Sequence, residues 1–161
     1  MGEHTIAVGL GELALSNRPD TVLVAYGLGS CVGVALFDPQ AKVAALLHAM
    51  LPAFRNGDAN KTKYVDTGIP AMLEEVEKMG AVRSRLVCRI VGGAQMLVAP
   101  GFNNVFNIGA KNVEQAHKTL RKQRLRLRAE DTGGNAGRTI KLFVADGRVM
   151  VRSLGKEEKP L

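Results

Sequence analysis

The hydrophobic run that ends Ala25-Tyr-Gly-Leu-Gly-Ser-Cys31 delivers a thiol on the far side of a glycine-rich turn. Glycines without Cβ let the backbone bend sharply and let a substrate come close to it. Such a turn can aim successive N–H groups at one point, which is what an oxyanion needs. A thiol in that position suits nucleophilic attack on a carbonyl, given a base to take its proton. His48, in Val43-Ala-Ala-Leu-Leu-His48-Ala-Met-Leu-Pro52, is the candidate base. The turn signal Asp38-Pro39-Gln40 lies between the two segments. A hairpin centred on Pro39 pairs residues whose numbers sum to about 78–80, which sets Cys31 opposite residues 47–49 and brings His48 within reach. The competing reading is a small buried hydrophobe at Cys31 and a satisfied core histidine at His48, because free cysteines are commonly just buried. Cys88, inside Leu86-Val-Cys88-Arg-Ile-Val, has neither a turn nor a histidine nearby and reads as core.

Other motifs fail on context. Gly9-Leu-Gly11-Glu-Leu-Ala14 has the letters of a dinucleotide fingerprint, but Pro19 follows too soon for the required helix and crossover, so it reads as a structural turn. Neither glycine cluster continues into Gly-Lys-Ser/Thr, which excludes a phosphate-binding loop. His4, His48 and His117 are dispersed and the two cysteines stand 57 positions apart, so no zinc spacing exists and no metal is expected. The basic run Lys118, Arg121, Lys122, Arg124, Arg126 and Arg128 lacks interleaved aromatics and reads as a solvated face, with no nucleic-acid partner.

The elements that must position the thiol and the imidazole follow from patterning. Strands are expected at Thr5–Gly9, Thr21–Tyr26, Cys31–Phe37, Val43–Leu51 and Leu86–Val91. Another is expected from Leu125, and Thr139–Ala145 with Arg148–Leu154 forms a hairpin at Asp146-Gly147. Ile69, Met72, Leu73, Val76 and Met79 mark a helix over Thr67–Met79, with Pro70 best tolerated if it starts near Thr67. Ile108, Val113, Ala116 and Leu120 mark a second helix, from Ile108 to about Gln123. About eight strands and two helices inserted between groups of strands give an α+β fold with mixed β-sheets packed together and flanked by helices.

The 161 residues suffice for a single core, read here as one domain over 1–154 with a charged tail at 155–161. Two cysteines exclude a disulfide framework. The uncharged stretch Thr21–Phe37 is at the lower limit for a membrane span, but its glycines, Thr21 and Ser30 make it two strands, so no membrane insertion is expected. The N-terminus lacks the basic flank and apolar block of a secretory signal, so a cytoplasmic location is the expectation. A net charge of +7 favours acidic partners.

Six blocks now combine: Gly27-Leu-Gly-Ser-Cys31-Val, His48-Ala-Met-Leu-Pro52, Lys63-Tyr-Val-Asp66, Gly92-Gly-Ala94, Asn107-Ile-Gly-Ala-Lys-Asn112 and Glu130-Asp-Thr-Gly-Gly-Asn-Ala-Gly-Arg138. In this order, over about residues 5–153, they resemble the CheD family of chemoreceptor glutamine deamidases. The resemblance implies a fold similar to the cysteine deamidase domain of cytotoxic necrotizing factors. It also implies a chemotaxis enzyme that converts glutamines of methyl-accepting chemotaxis receptors to glutamates, without a cofactor, and that binds a CheC-type phosphatase. Cys31 would be the nucleophile and His48 its base, with Ser30 and Gly29 at the oxyanion. The family pattern places a Thr six residues before the cysteine, where this chain has Ala25. The imidazole's orienter must then be a backbone carbonyl or another side chain, such as Ser30 or Thr132. Lys111 stands where the pattern has Arg, and with Phe102 and Phe106 it is a candidate for substrate or partner binding. The alternative to an enzyme is a non-catalytic adaptor that binds receptors or the CheC phosphatase.

Overall fold

A computed structural model describes residues 3–96 and 107–161. Two apolar runs set its architecture. Val32–Asp38 (β4) and Val43–Ala49 (β5) are buried at every residue, and strands buried on both faces must lie between two layers. The layer on one side is a second sheet; on the other it is a pair of helices.

The strands flanking this pair are β1 (His4–Ala7), β2 (Leu13–Ser16) and β3 (Thr21–Leu28) before it, and β6 (Val87–Gly92), β7 (Leu127–Thr132), β8 (Arg138–Phe143), β9 (Val149–Ser153) and β10 (Lys159–Pro160) after it. One sheet has the order β1-β3-β8-β9-β10 and the other β2-β5-β4-β6-β7. Each contains one parallel pair, β1 with β3 and β6 with β7. Between the sheets lie Leu23, Ala25 and Leu28 of β3, Ile140 and Leu142 of β8, Ala35 and Phe37 of β4, and Ala44 and Leu46 of β5. The opposite face of the β5-β4-β6 sheet packs Val34, Leu47 and Ile90 against α1 (Val65–Lys78) and α2 (Ile108–Lys122).

The α+β arrangement of mixed sheets flanked by helices matches the sequence expectation, with differences in detail. Ten strands form among the described residues rather than eight. The additions are the short edge strand β2 and β10, which pairs with β9 inside the segment read as a charged tail, where Lys141 also meets Glu158 at 3.1 Å. Helix α1 begins at Val65 rather than Thr67, which puts Pro70 inside it. The early start is held from outside the helix, because Val65 and Asp66 donate their N–H groups to the carbonyls of Leu51 and Pro52.

The register of the central hairpin also shifts. Gly33 faces His48 and Asp38 faces Val43, so the turn occupies residues 39–42 instead of centring on Pro39. The Asp38 carboxylate accepts from the N–H groups of Gln40 and Ala41, and Lys42 adopts a left-handed φ of 57°. The Asp38 cap stabilises this longer turn and offsets the left-handed conformation that it asks of Lys42.

Candidate active site

Cys31 does not sit in a strand. β3 ends at Leu28 and β4 begins at Val32, leaving Gly29, Ser30 and Cys31 as the bend that crosses from one sheet to the other. Its ladder partner would be residue 50, not one of residues 47–49 as expected from a turn at Pro39. Even so, Cys31 lies two residues before Gly33, the residue opposite His48. Carried one residue past Val32, the strand alternation sets the thiol and the imidazole as diagonal neighbours on one face, a relation that in a ladder spans about 7–8 Å at the backbone. Gly33 has no side chain to stand between them. Cys31 is half-buried against the layer between the sheets, the same layer that the β5 residues Ala44 and Leu46, in step with His48, help to fill. Burial pushes the Cys31 thiol up from its ordinary value, opposed by its own backbone N–H. The resting group is therefore a thiol that needs a base.

His48 is buried, and its backbone is held on both edges. Its N–H donates to the Glu12 carbonyl, its carbonyl accepts from Gly11, and β4 pairs along the other side. The ring Nδ1 lies 2.9 Å from the carbonyl oxygen of Val8. A carbonyl can only accept, so Nδ1 carries a proton, and in the neutral tautomer this selects, the lone pair is at Nε2. That Nε2 is buried and among the described residues has no hydrogen-bond partner, the thiol included. Val8 is itself fixed by donation of its N–H to the Val24 carbonyl of β3. The orienter of the imidazole is thus a backbone carbonyl, one of the two options left open by Ala25. Thr132 instead donates to Glu130.

The bend is tied down through its carbonyls. Gly29 accepts from Ala94 N–H at 2.9 Å, Cys31 from Gly93 N–H at 2.8 Å, and Ser30 from the Asn112 side-chain amide at 2.8 Å. In a trans peptide the N–H points opposite to the preceding carbonyl. Anchoring Gly29 and Ser30 in this way turns the N–H groups of Ser30 and Cys31 to the other side, where among the described residues neither makes a backbone hydrogen bond to another residue. The anchors require glycine. A Cβ on Gly92, at φ 114°, would collide with the Cys31 carbonyl oxygen, and one on Gly109 would collide with the carbonyl oxygens of Gly93 and Ala94. Beside the bend a groove of about 410 Å³ is lined by Gly27, Gly29, Met96, Arg138, Arg152 and Leu154.

The structure brings Cys31, His48, Ser30 and Gly29 to one end of the β4–β5 pair. Lys111 is exposed on the first turn of α2, next to Asn112, and Phe102 and Phe106 lie outside the described residues. Two contributors escaped the sequence reading. Val8 acts through a carbonyl, which every residue has. Asn112 was hidden by the search for apolar spacing: the inward stripe of α2 is Gly109, Asn112, Ala116, Thr119 and Leu120, whereas Ile108 and Val113 are only half-buried. A small residue and an amide three apart on that stripe were the available signal. Among the described residues no cluster of side chains could hold a metal ion, and no helix is long and apolar enough to cross a membrane.

Comparison with known proteins adds a family. The family model described as CheD chemotactic sensory transduction matches residues 50–153, which begins just after His48. Full-length relatives extend the likeness across the bend. A protein of Symbiobacterium thermophilum named probable chemoreceptor glutamine deamidase CheD is 48% identical over 158 residues, 96% of each chain. One of the same name from Caldanaerobacter subterraneus is 42% identical over 96% of each chain. A Thermotoga maritima protein named chemoreceptor glutamine deamidase CheD is 43% identical over 94% of each.

Proposed function

The chain belongs to the CheD family, and on that premise we propose that it deamidates glutamine side chains of methyl-accepting chemotaxis receptors through a Cys31 thioester. The observation that carries the reading is the His48 ring: Nδ1 is committed to the Val8 carbonyl while Nε2 is open, buried and on the face that Cys31 shares. A histidine so oriented is a proton acceptor waiting for a donor, and a thiol raised by burial is a donor that needs one.

Nε2 takes the thiol proton as Sγ attacks the glutamine carboxamide carbon. The N–H groups of Ser30 and Cys31, with Gly29 giving the bend its shape, receive the developing oxyanion. The imidazolium returns its proton to the departing nitrogen, so ammonia leaves and a thioester remains. Water, deprotonated by the same Nε2, cleaves the thioester, releasing glutamate and the thiol. The product carries a negative charge where the substrate was neutral. The groove beside Gly27 and Gly29 is the natural approach for the protein substrate. Its Arg152 side chain and the chain's +7 charge favour an acidic helical surface. The reaction belongs to the cytoplasm, where receptor signalling domains lie, and a CheC-type phosphatase is the expected further partner.

Intact-mass measurement of a receptor signalling fragment tests the assignment. Wild type should add about one dalton per converted glutamine, the amide-to-acid difference of this acyl chemistry, and Cys31→Ala should add none. No gain with wild type would leave the chain an adaptor that binds without turning over.

A further inference from the structure

Asn112 stands out among buried polar groups that the mechanism does not use. It has no solvent exposure, sits on the helix side of the central sheet, and spends its single amide nitrogen on two backbone carbonyls, Ser30 at 2.8 Å and Met50 at 3.0 Å. Ser30 immediately precedes the nucleophile, and Met50 lies two residues beyond the base. One side chain therefore bridges the chain segment that carries the thiol and the one that carries the imidazole, just past the last ladder pair of β4 and β5, Val32 with Ala49. Both partners are oxygens, so the amide's orientation is unambiguous: the NH2 group faces them and Oδ1 faces away. Among the described residues that Oδ1 is buried without a hydrogen-bond partner. Burying an acceptor unmatched is costly, and an apolar residue would avoid it. The arrangement makes sense where two donors at that point are worth more than a satisfied acceptor.

We propose that Asn112 is a positioning residue for the deamidation reaction, fixing the separation and relative direction of Cys31 and His48 by clamping Ser30 and Met50 to one amide. The assignment rests on the Cys31–His48 reading. The clamp is supported from behind, because Gly109, three residues before Asn112 on α2, packs against the Gly93 and Ala94 carbonyls where any Cβ would collide. It acts from the face opposite the catalytic side chains and touches no substrate, so its removal should lower kcat and spare KM.

The test is the pH profile of Cys31 alkylation by iodoacetamide, read from the mass of the Cys31 peptide, for wild type, His48→Ala, Asn112→Ala and the double variant. Asn112→Ala should slow alkylation at neutral pH by about tenfold, to the level of His48→Ala. Adding it to His48→Ala should then change the rate by less than about twofold, as expected of residues acting in one unit. In deamidation, kcat should fall by about 10- to 100-fold with KM within about twofold of wild type. An Asn112→Ala profile that overlays wild type, or an equal slowing in both backgrounds, overturns the proposal. Should Asn112→Ala lack a cooperative melt, Asn112→Ser, which keeps one donor, carries the same comparison and should fall between the two. If His48→Ala itself alkylates like wild type, the Cys–His reading fails and the positioning role fails with it. If His48→Ala is slowed and Asn112→Ala is not, only the positioning role fails.

Discussion

At the turn end of the β4–β5 hairpin, Asp38 is completely buried, yet both carboxylate oxygens are occupied. Oδ1 accepts from Gln40 and Ala41, Oδ2 from Val82, and the Arg85 guanidinium bonds both oxygens at 2.9–3.1 Å. Burial opposes the charge, but Arg85 and the three N–H groups outweigh it and hold the carboxyl well below the usual carboxylate range. At the other end of the same two strands the balance is reversed. Among the described residues His48 Nε2 and Asn112 Oδ1 are buried without partners and the N–H groups of Ser30 and Cys31 make no backbone bonds to other residues, while burial pushes the Cys31 thiol up. The first end spends its polar groups on stability. The second keeps them open, and open groups held in place are what a reaction needs.

The contrast breaks most readily at His48. His48→Ala should lower the deamidation rate by about 10²- to 10⁴-fold, the usual range for losing a general base, with a melting curve close to wild type. Steady-state kinetics on a receptor fragment measures it. A loss under threefold would remove the open end's claim to chemistry.

Arg85→Ala attacks the satisfied end. It strips three hydrogen bonds from a buried carboxylate and should cost about 2 kcal/mol in urea unfolding while leaving Cys31 alkylation unchanged. If alkylation changed as much as stability, the two ends would not be separable. The pH dependence sharpens the same point. Asp38 titrates lower when folded than when unfolded, so its contribution is fully present above the unfolded carboxylate value near about 4 and is lost as pH falls through the folded value. The stability gap between wild type and Arg85→Ala should therefore be constant from about pH 5 to 7 and narrow progressively as pH falls from about 4 toward the folded value. The smallest effect belongs to Cys88, whose thiol burial pushes up to about 12. Cys88→Ser should leave the deamidation rate within about twofold of wild type, and its thiol should resist alkylation until the protein unfolds.

Sequence patterning found the satisfied parts better than the open ones. β4 and β5 were legible because strands buried on both faces must be apolar throughout, and α1 because Ile69, Met72, Leu73 and Val76 keep helical spacing. The hairpin register came out wrong because turn length depends on how Asp38 caps residues 40 and 41 and on the left-handed Lys42, neither of which patterning weighs. Cys31 and His48 were singled out from residue type beside a turn, and the family blocks pointed to the same pair. What aligns them was not found. The Val8 carbonyl leaves no mark in side-chain chemistry, and Asn112 interrupts the apolar pattern by which an inward helix face is recognised. Ala25 removed the expected hydroxyl, and in this chain the Val8 carbonyl, just past the end of β1, bonds the imidazole instead.

Hydroxylamine trapping tests the thioester directly. A receptor fragment is incubated with wild type in the presence of hydroxylamine and the converted glutamines are weighed. An acyl group on Cys31 should pass to hydroxylamine and give hydroxamate, about 16 Da above glutamine, alongside the glutamate that adds about one, and Cys31→Ala should give neither. Glutamate formed without any hydroxamate, or hydroxamate formed by Cys31→Ala, would contradict a Cys31 acyl intermediate.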